Sequence, residues 1–317
     1  MTRKLVFLMS LTPEDAEEIR QIAPGWEIAA GRVQDLPVSQ LKEAEVVVGW
    51  HSLVEEHCFE ADAKLRWVQS WGAGVDGYPF AKFADKGAVL TCARGVHPFP
   101  ISESVYAMML GLTRRVHYSI RNQLQRKWQR EEGSEMHGKT VGIVGVGAIG
   151  TEIAKIAKVF GMRVLGIKRN PTPVANVDAL YKPEDLNKMV AECDYIVNAL
   201  PLTKETAKMF GPAQFAAMKP TAFYISIGRG GTTDTDAVYE ALRTRAIAGA
   251  GLDVFDPEPL PADHPLWALD NVIITAHNAN STIHYGERAM DIFKENLRSY
   301  VRSGTPAMNV VDLKAGY

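Results

Sequence analysis

Cysteine is scarce in this chain of 317 residues. Its three cysteines, Cys58, Cys92 and Cys193, are scattered, with neither a Cys-x-x-Cys pair nor a metal-ligand spacing. That argues against a disulfide framework and gives no pointer to a metal centre; reduced thiols in a cytoplasmic protein are the expectation. A surplus of either charge is also missing. The 35 Lys and Arg against 37 Asp and Glu leave −2, so no bulk field draws nucleic acid or an anionic membrane. Nor is there a long apolar run. None reaches the roughly 18 residues that a membrane span needs, and no signal-peptide core precedes the first strand. What remains is 46% hydrophobic and 23% charged, an ordinary globular balance, on a length comfortable for two domains.

Two alternating series of apolar strands and helices follow one another. In the first, Lys4 to Met9, Glu45 to Gly49, Leu65 to Ser70 and Ala88 to Cys92 read as buried strands. Thr12-Pro13-Glu14-Asp15 reads as a helix start, with Thr as cap, Pro at the first position and acids in the first turn. In the second, six strands are predicted: Thr140 to Val144, Arg163 to Ile167, Tyr195 to Leu200, Ala222 to Ile227, Gly249 to Val254 and Val272 to Thr275. Continuous apolar runs separated by helices point to parallel sheets covered on both faces. Between the series, Ile101 to about Arg130 reads as one long helical stretch, apolar first and then basic. Without interleaved aromatics it reads as a solvated or subunit-facing helix and not as a nucleic-acid face. A last helix, about Gly286 to Ser303, could return to the first domain. Neither an internal repeat nor a low-complexity segment stands out.

The second series opens on Val141-Gly-Ile-Val-Gly-Val-Gly-Ala-Ile-Gly150, an apolar strand running into Gly-x-Gly-x-x-Gly. Gly145 permits the tight turn, Gly147 lets backbone approach a pyrophosphate, and Gly150 lets the next helix, Ala148 to Phe160, pack close. The pyrophosphate would sit on that helix's free N–H groups. About 20 residues on, an acid normally accepts from the ribose 2′-hydroxyl. Here the second strand ends in Lys168-Arg169-Asn170. Two cations suit a 2′-phosphate, hence NADP(H); the alternative is a solvated strand end and an NAD(H) site.

Three polar residues follow the ends of three successive strands: Arg229 in Ser226-Ile-Gly-Arg-Gly-Gly231, Glu258 in Gly251-Leu-Asp-Val-Phe-Asp-Pro-Glu-Pro-Leu260, and His277 in Thr275-Ala-His-Asn-Ala279. Open α/β sheets bind ligands at that edge. Hydride transfer to a ketone needs a cation to hold a carboxylate and polarise the carbonyl, an acid to protonate the alkoxide, and a group that keeps this acid charged. Arg229, His277 and Glu258 suit these tasks in that order.

With these motifs in hand, the sequence resembles the D-isomer-specific 2-hydroxyacid dehydrogenase family over essentially its whole length. The likeness runs from Gly72-Ala-Gly-Val-Asp76 through Gly145 to Gly150, Leu200-Pro-Leu-Thr-Lys-Glu-Thr206, Ile227-Gly-Arg-Gly230, Leu252-Asp-Val-Phe-Asp-Pro-Glu-Pro259 and His277 to Asn309-Val-Val-Asp312. The spacings of 29 residues from Arg229 to Glu258 and 19 from Glu258 to His277 fit that family. The resemblance implies two doubly wound parallel-sheet domains: a flavodoxin-like substrate domain (1–100 and 285–317) and a Rossmann cofactor domain (101–284). It implies a 2-keto acid reduced to a D-2-hydroxy acid where the domains meet, Arg229, Glu258 and His277 as the catalytic set, and a homodimer formed through the cofactor domains.

By the same resemblance, Ala148 and Ile149 would lie along the pyrophosphate, and Leu200, Pro201 and Thr206 along the adenosine. Ile227, Gly228, Arg229 and His277 complete the cofactor contacts, and Asp253 would accept from the nicotinamide carboxamide. Ala73 and Gly74 would present N–H groups to the substrate carboxylate, beside Arg229 and His277; a Gly-rich loop after an apolar strand can form such a nest. Members using NAD usually carry Asp where Lys168 stands. Arg94 and His97 could reach the active site or merely cap the linker helix. Trp50, Trp71, Tyr78, Phe99 and His97 are candidates for a side-chain pocket. Since the chain stops soon after Asp312, serine control through an appended domain is not expected. A competing reading from another class is a non-catalytic, corepressor-like dinucleotide sensor, because fold alone does not give function.

Overall fold

The computed structural model describes residues 2–75 and 77–315. The chain divides into two compact units, one running to Val96 and resuming at Ile283, the other spanning His97–Thr282.

The first unit is built on five parallel strands: β1 (Lys4–Phe7), β2 (Glu27–Ala30), β3 (Val46–Val48), β4 (Trp67–Gln69) and β5 (Val89–Thr91), in the order β2-β1-β3-β4-β5. This is the flavodoxin-like order. Alternation along the strands fills two cores. Val6, Val47, Val68 and Leu90 face one cluster; Leu5, Phe7, Val46, Val48 and Trp67 face the other. The helix Tyr285–Ser303 covers the second face, where Phe293 stacks on Trp67 with ring centres 5.6 Å apart. The helix Pro13–Ile22 starts as the sequence predicts: Thr12 accepts from the Asp15 N–H at 3.0 Å, with Pro13 at the first position. The strand β2 was not anticipated. Glu27-Ile-Ala-Ala30 is half exposed on the sheet edge and lacks a buried apolar run.

The second unit carries β6 (Thr140–Val144), β7 (Arg163–Ile167), β8 (Ala179–Tyr181), β9 (Tyr195–Asn198), β10 (Phe223–Ser226), β11 (Gly249–Leu252) and β12 (Val272–Ile274). Among the described residues they form one parallel sheet, β12-β11-β10-β9-β6-β7-β8, the doubly wound dinucleotide order with one further strand. The switch point lies between β6 and β9, where Gly145 backs onto Ala199. Both faces are buried: Val141, Ile143, Tyr195 and Val197 pack on one side, Val144, Ile196 and Tyr224 on the other. The helix Pro98–Thr113 lies close on the sheet. A Cβ on Gly251 would meet Met108 at 2.8 Å, and one on Gly111 would meet Ile273 at 2.9 Å.

Two details correct the sequence reading. Six strands were predicted here; β8, three half-buried residues, makes a seventh. The single helical stretch predicted from Ile101 to Arg130 is two helices, Pro98–Thr113 and Val116–Leu124. Arg115 breaks them with a left-handed backbone, φ 59°, and residues 125–130 are not helical. No described helix is long and apolar enough to cross a membrane.

Candidate active site

The turn from β6 into the helix Ala148–Val159 assigns each glycine of the fingerprint its own reason. Gly145 has φ 101°, and a Cβ there would meet the Ala199 carbonyl oxygen at 2.9 Å. A Cβ on Gly150 would press on the Gly145 carbonyl oxygen at 2.5 Å. Gly147 is different: it is exposed, caps the helix without a side chain, and nothing lies within 4 Å of the place a Cβ would take. Two glycines thus let the protein pack on itself and one leaves an open cradle. The cradle lies beside the uncapped N–H groups of Ala148 and Ile149 at the N-terminus of a helix of 12 residues. The donor set fits a dinucleotide pyrophosphate.

At the end of β7, Lys168 is half-buried, with Nζ 3.4 Å from the Thr172 hydroxyl, and Arg169 is exposed. Across from them the β9 loop is a closed turn. The Thr206 hydroxyl donates to the Pro201 carbonyl at 2.7 Å and accepts from the Thr203 N–H at 2.8 Å. The Glu205 carboxyl in this turn is held below its ordinary value, first by the Thr203 hydroxyl and further by the nearby charge of Arg169. The basic pair and the Leu200–Thr206 loop therefore border one region.

The three catalytic candidates are brought together by backbone. Gly228 and Gly230 have no room for a Cβ: one would overlap the Leu200 carbonyl, the other the Phe255 carbonyl. The β10 loop carrying Arg229 thus lies directly on the β11 loop carrying Glu258. Ile227 continues the sheet by donating to Asn198 at 3.0 Å. Beneath, Asn198 Nδ2 donates to Tyr224 and Thr232, and the Thr232 hydroxyl donates to the Arg229 carbonyl at 2.6 Å. The half-buried Arg229 guanidinium donates through Nη1 to the Gly228 carbonyl at 3.0 Å.

Glu258 accepts the Phe255 N–H on Oε1 at 2.9 Å and meets His277 Nδ1 with Oε2 at 2.7 Å. With Nδ1 committed to the carboxylate, Nε2 of the exposed imidazole is the nitrogen left to face a reactant. His277 itself has φ 50°, a left-handed conformation uncommon outside glycine. Asp253 lies beneath it, 2% exposed, at the end of β11.

In the first unit, the loop after β4 is tied down at Gly72. Gly72 N–H donates to the Ser70 hydroxyl at 3.2 Å, and Gly72 O accepts from Ala93 N–H at 3.0 Å. Among the described residues nothing accepts from the N–H groups of Ala73 and Gly74. The last residue of that motif, Asp76, lies outside the described residues. Tyr78 donates to Ser70 at 2.8 Å and rests against Trp50, ring centres 4.5 Å apart, so both aromatics belong to a packed cluster with Phe59 and Phe83. Arg94 is exposed and its carbonyl accepts from Asn309 at 2.7 Å.

Known proteins resemble the chain in the same terms. The sequence pattern described as "D-isomer specific 2-hydroxyacid dehydrogenase, NAD binding domain" matches residues 106–279. The chain is 34% identical over 304 residues to the D-3-phosphoglycerate dehydrogenase of Methanocaldococcus jannaschii; the match covers 95% of this chain and 58% of that protein. The chain belongs to the D-isomer specific 2-hydroxyacid dehydrogenase family. It is 33% identical to the glyoxylate reductase of Korarchaeum cryptofilum, covering 89% of this chain and 87% of that one. A family protein from Aeromonas salmonicida superposes with a TM-score of 0.84 at 34% identity, over 99% of this chain and 100% of that one. A family member from Xanthobacter autotrophicus, solved in complex with NADPH and MES, gives 0.82 at 27% identity over 100% of both chains. The family's two parallel-sheet α/β domains are the two units described above.

The polar groups beneath these candidates, Asn198 and Thr232, were not anticipated from the sequence. A polar residue closing an apolar strand, as Asn198 does, is the one signal that could have flagged them.

Proposed function

We propose that this dehydrogenase reduces a small 2-keto acid to a D-2-hydroxy acid and prefers NADP(H) to NAD(H). The observation that carries the reading is the 2.7 Å contact between His277 Nδ1 and Glu258 Oε2, on a loop packed against Arg229. The Arg229 guanidinium holds the substrate carboxylate and draws electron density from the carbonyl. His277 delivers a proton from Nε2 to the carbonyl oxygen. Glu258 fixes the ring and stabilises its charged form until then. The cofactor, when bound, supplies the hydride. Gly147, Ala148 and Ile149 would hold its pyrophosphate, and Lys168 and Arg169 the 2′-phosphate that distinguishes NADP(H). The NADPH carried by the Xanthobacter relative supports this choice. In the other unit, the open N–H groups of Ala73 and Gly74 suit a carboxylate oxygen.

The same reading makes the protein a homodimer. Val116, Ile120 and Leu124 fall on one face of the helix Val116–Leu124 and are exposed, Leu124 at 81%, with Trp128 at 99% four residues on. Such a stripe suits a second copy of the chain better than solvent. Three free, buried cysteines suit a reducing cytoplasm. Turnover of 2-keto acids with NADPH, lost in His277→Ala while NADPH still binds, is the test; near-full activity in that variant would refute the mechanism.

A further inference from the structure

The buried carboxylate of Asp253 is spoken for by the loop it underlies. Its Oδ1 accepts the Thr275 hydroxyl at 2.6 Å and the Asn278 N–H at 3.0 Å, and the Ala279 N–H lies 3.2 Å from both oxygens. Its main-chain carbonyl accepts the His277 N–H at 2.8 Å. These donors all belong to Thr275–Ala279, the stretch that presents the imidazole. Both ends of the clamp are anchored in the sheet, by Asp253 N–H to Ser226 O and Thr275 N–H to Leu252 O, each at 3.0 Å. Between the anchors His277 is held in its left-handed conformation, φ 50°, with Nδ1 on Glu258.

We propose that Thr275 is a positioning residue: its hydroxyl orients the Asp253 carboxylate, which holds residues 277–279 in the turn that sets His277 against Glu258. Among the described residues the hydroxyl is the one side-chain donor in the clamp; the others are backbone groups that follow wherever the carboxylate points. Removing it leaves a buried anion short of a donor and free to rotate about its last bond, and the turn loses its reference. This rests on His277 being the proton donor. It adds that Asp253 works chiefly on the chain's own loop, so a loss of activity on altering it does not by itself report a lost nicotinamide contact.

The decisive variants are Thr275→Val, which keeps the β-branched shape and removes only the hydroxyl, and Thr275→Ser, which restores it. Three quantities are compared with wild type: kcat at saturating 2-keto acid and NADPH, the NADPH Kd by fluorescence titration, and the His277 ring-proton resonance in the cofactor-free protein, assigned by its loss in His277→Ala. Thr275→Val is expected to lower kcat about tenfold or more and to leave the Kd within about threefold, since pyrophosphate and ribose contacts lie on other loops. Its ring resonance should move toward the position found in Glu258→Gln, and Thr275→Ser should recover wild-type values. An unmoved resonance in Thr275→Val, or a Thr275→Ser variant no better than Thr275→Val, overturns the proposal. Should the wild type turn over no 2-keto acid, the oxidoreductase reading fails, and the ring resonance still decides on the clamp.

Discussion

His277 Nδ1 and Glu258 Oε2 lie 2.7 Å apart although the residues are 19 positions apart in sequence, on loops after different strands. The pair fixes which ring nitrogen is free and keeps a negative charge beside the ring. Replacing Glu258 by Gln retains a hydrogen-bond acceptor and removes the charge, so kcat is expected to fall about 10- to 100-fold. His277→Ala removes the proposed proton donor and should cost about 1,000-fold or more. NADPH affinity, read by fluorescence, should survive in both. Equal kcat in Glu258→Gln and wild type would remove Glu258 from the mechanism.

The fingerprint glycines separate packing from binding. Gly150→Ala places a methyl 2.5 Å from the Gly145 carbonyl oxygen, whereas Gly147→Ala meets nothing within 4 Å. Gly150→Ala should therefore lose about 1–3 kcal/mol of stability in urea unfolding. Gly147→Ala should unfold like wild type and bind cofactor more weakly. The reverse pattern would mean that the cradle is not where the pyrophosphate sits.

The fold was largely legible because its buried parallel strands are continuous apolar runs: β6 and β7 are found at the predicted residues. What stayed hidden was decided by tertiary contacts. Strands β2 and β8 are short and half exposed, so no periodicity marks them. The break at Arg115 is a backbone conformation that neither glycine nor proline announces. In the candidate site, Arg229, Glu258 and His277 stand out in the sequence because their chemistry and spacing are specific. The roles of Thr275, Asn198 and Thr232 come from hydrogen bonds between loops far apart in sequence.

Burial pushes the thiols of Cys58 and Cys193 up to about 12, from an ordinary 9.0. A raised folded-state value means that the unfolded chain releases its protons first. The stability these neutral thiols contribute is complete below pH 9 and is lost as pH rises toward 12. Thermal unfolding should therefore shift to lower temperature between pH 8 and pH 10.5, and less steeply in Cys58→Ala/Cys193→Ala than in wild type. Parallel pH profiles for the two proteins would contradict the burial of these groups.

The exposed stripe on the helix Val116–Leu124 gives a test of assembly. Leu124→Glu places a charge in an apolar contact if that face meets a second copy. Sedimentation should then find a dimer for wild type and a monomer, or a much weaker dimer, for the variant. A monomeric wild type would leave the stripe without its proposed role.

The most direct measurement is kcat/KM for glyoxylate, hydroxypyruvate and pyruvate, each with NADPH and with NADH, in wild type and Lys168→Asp. Reduction to the D-hydroxy acid with NADPH favoured is expected, with a shift toward NADH in the variant. A wild type that prefers NADH, or a preference that ignores Lys168, would contradict this expectation.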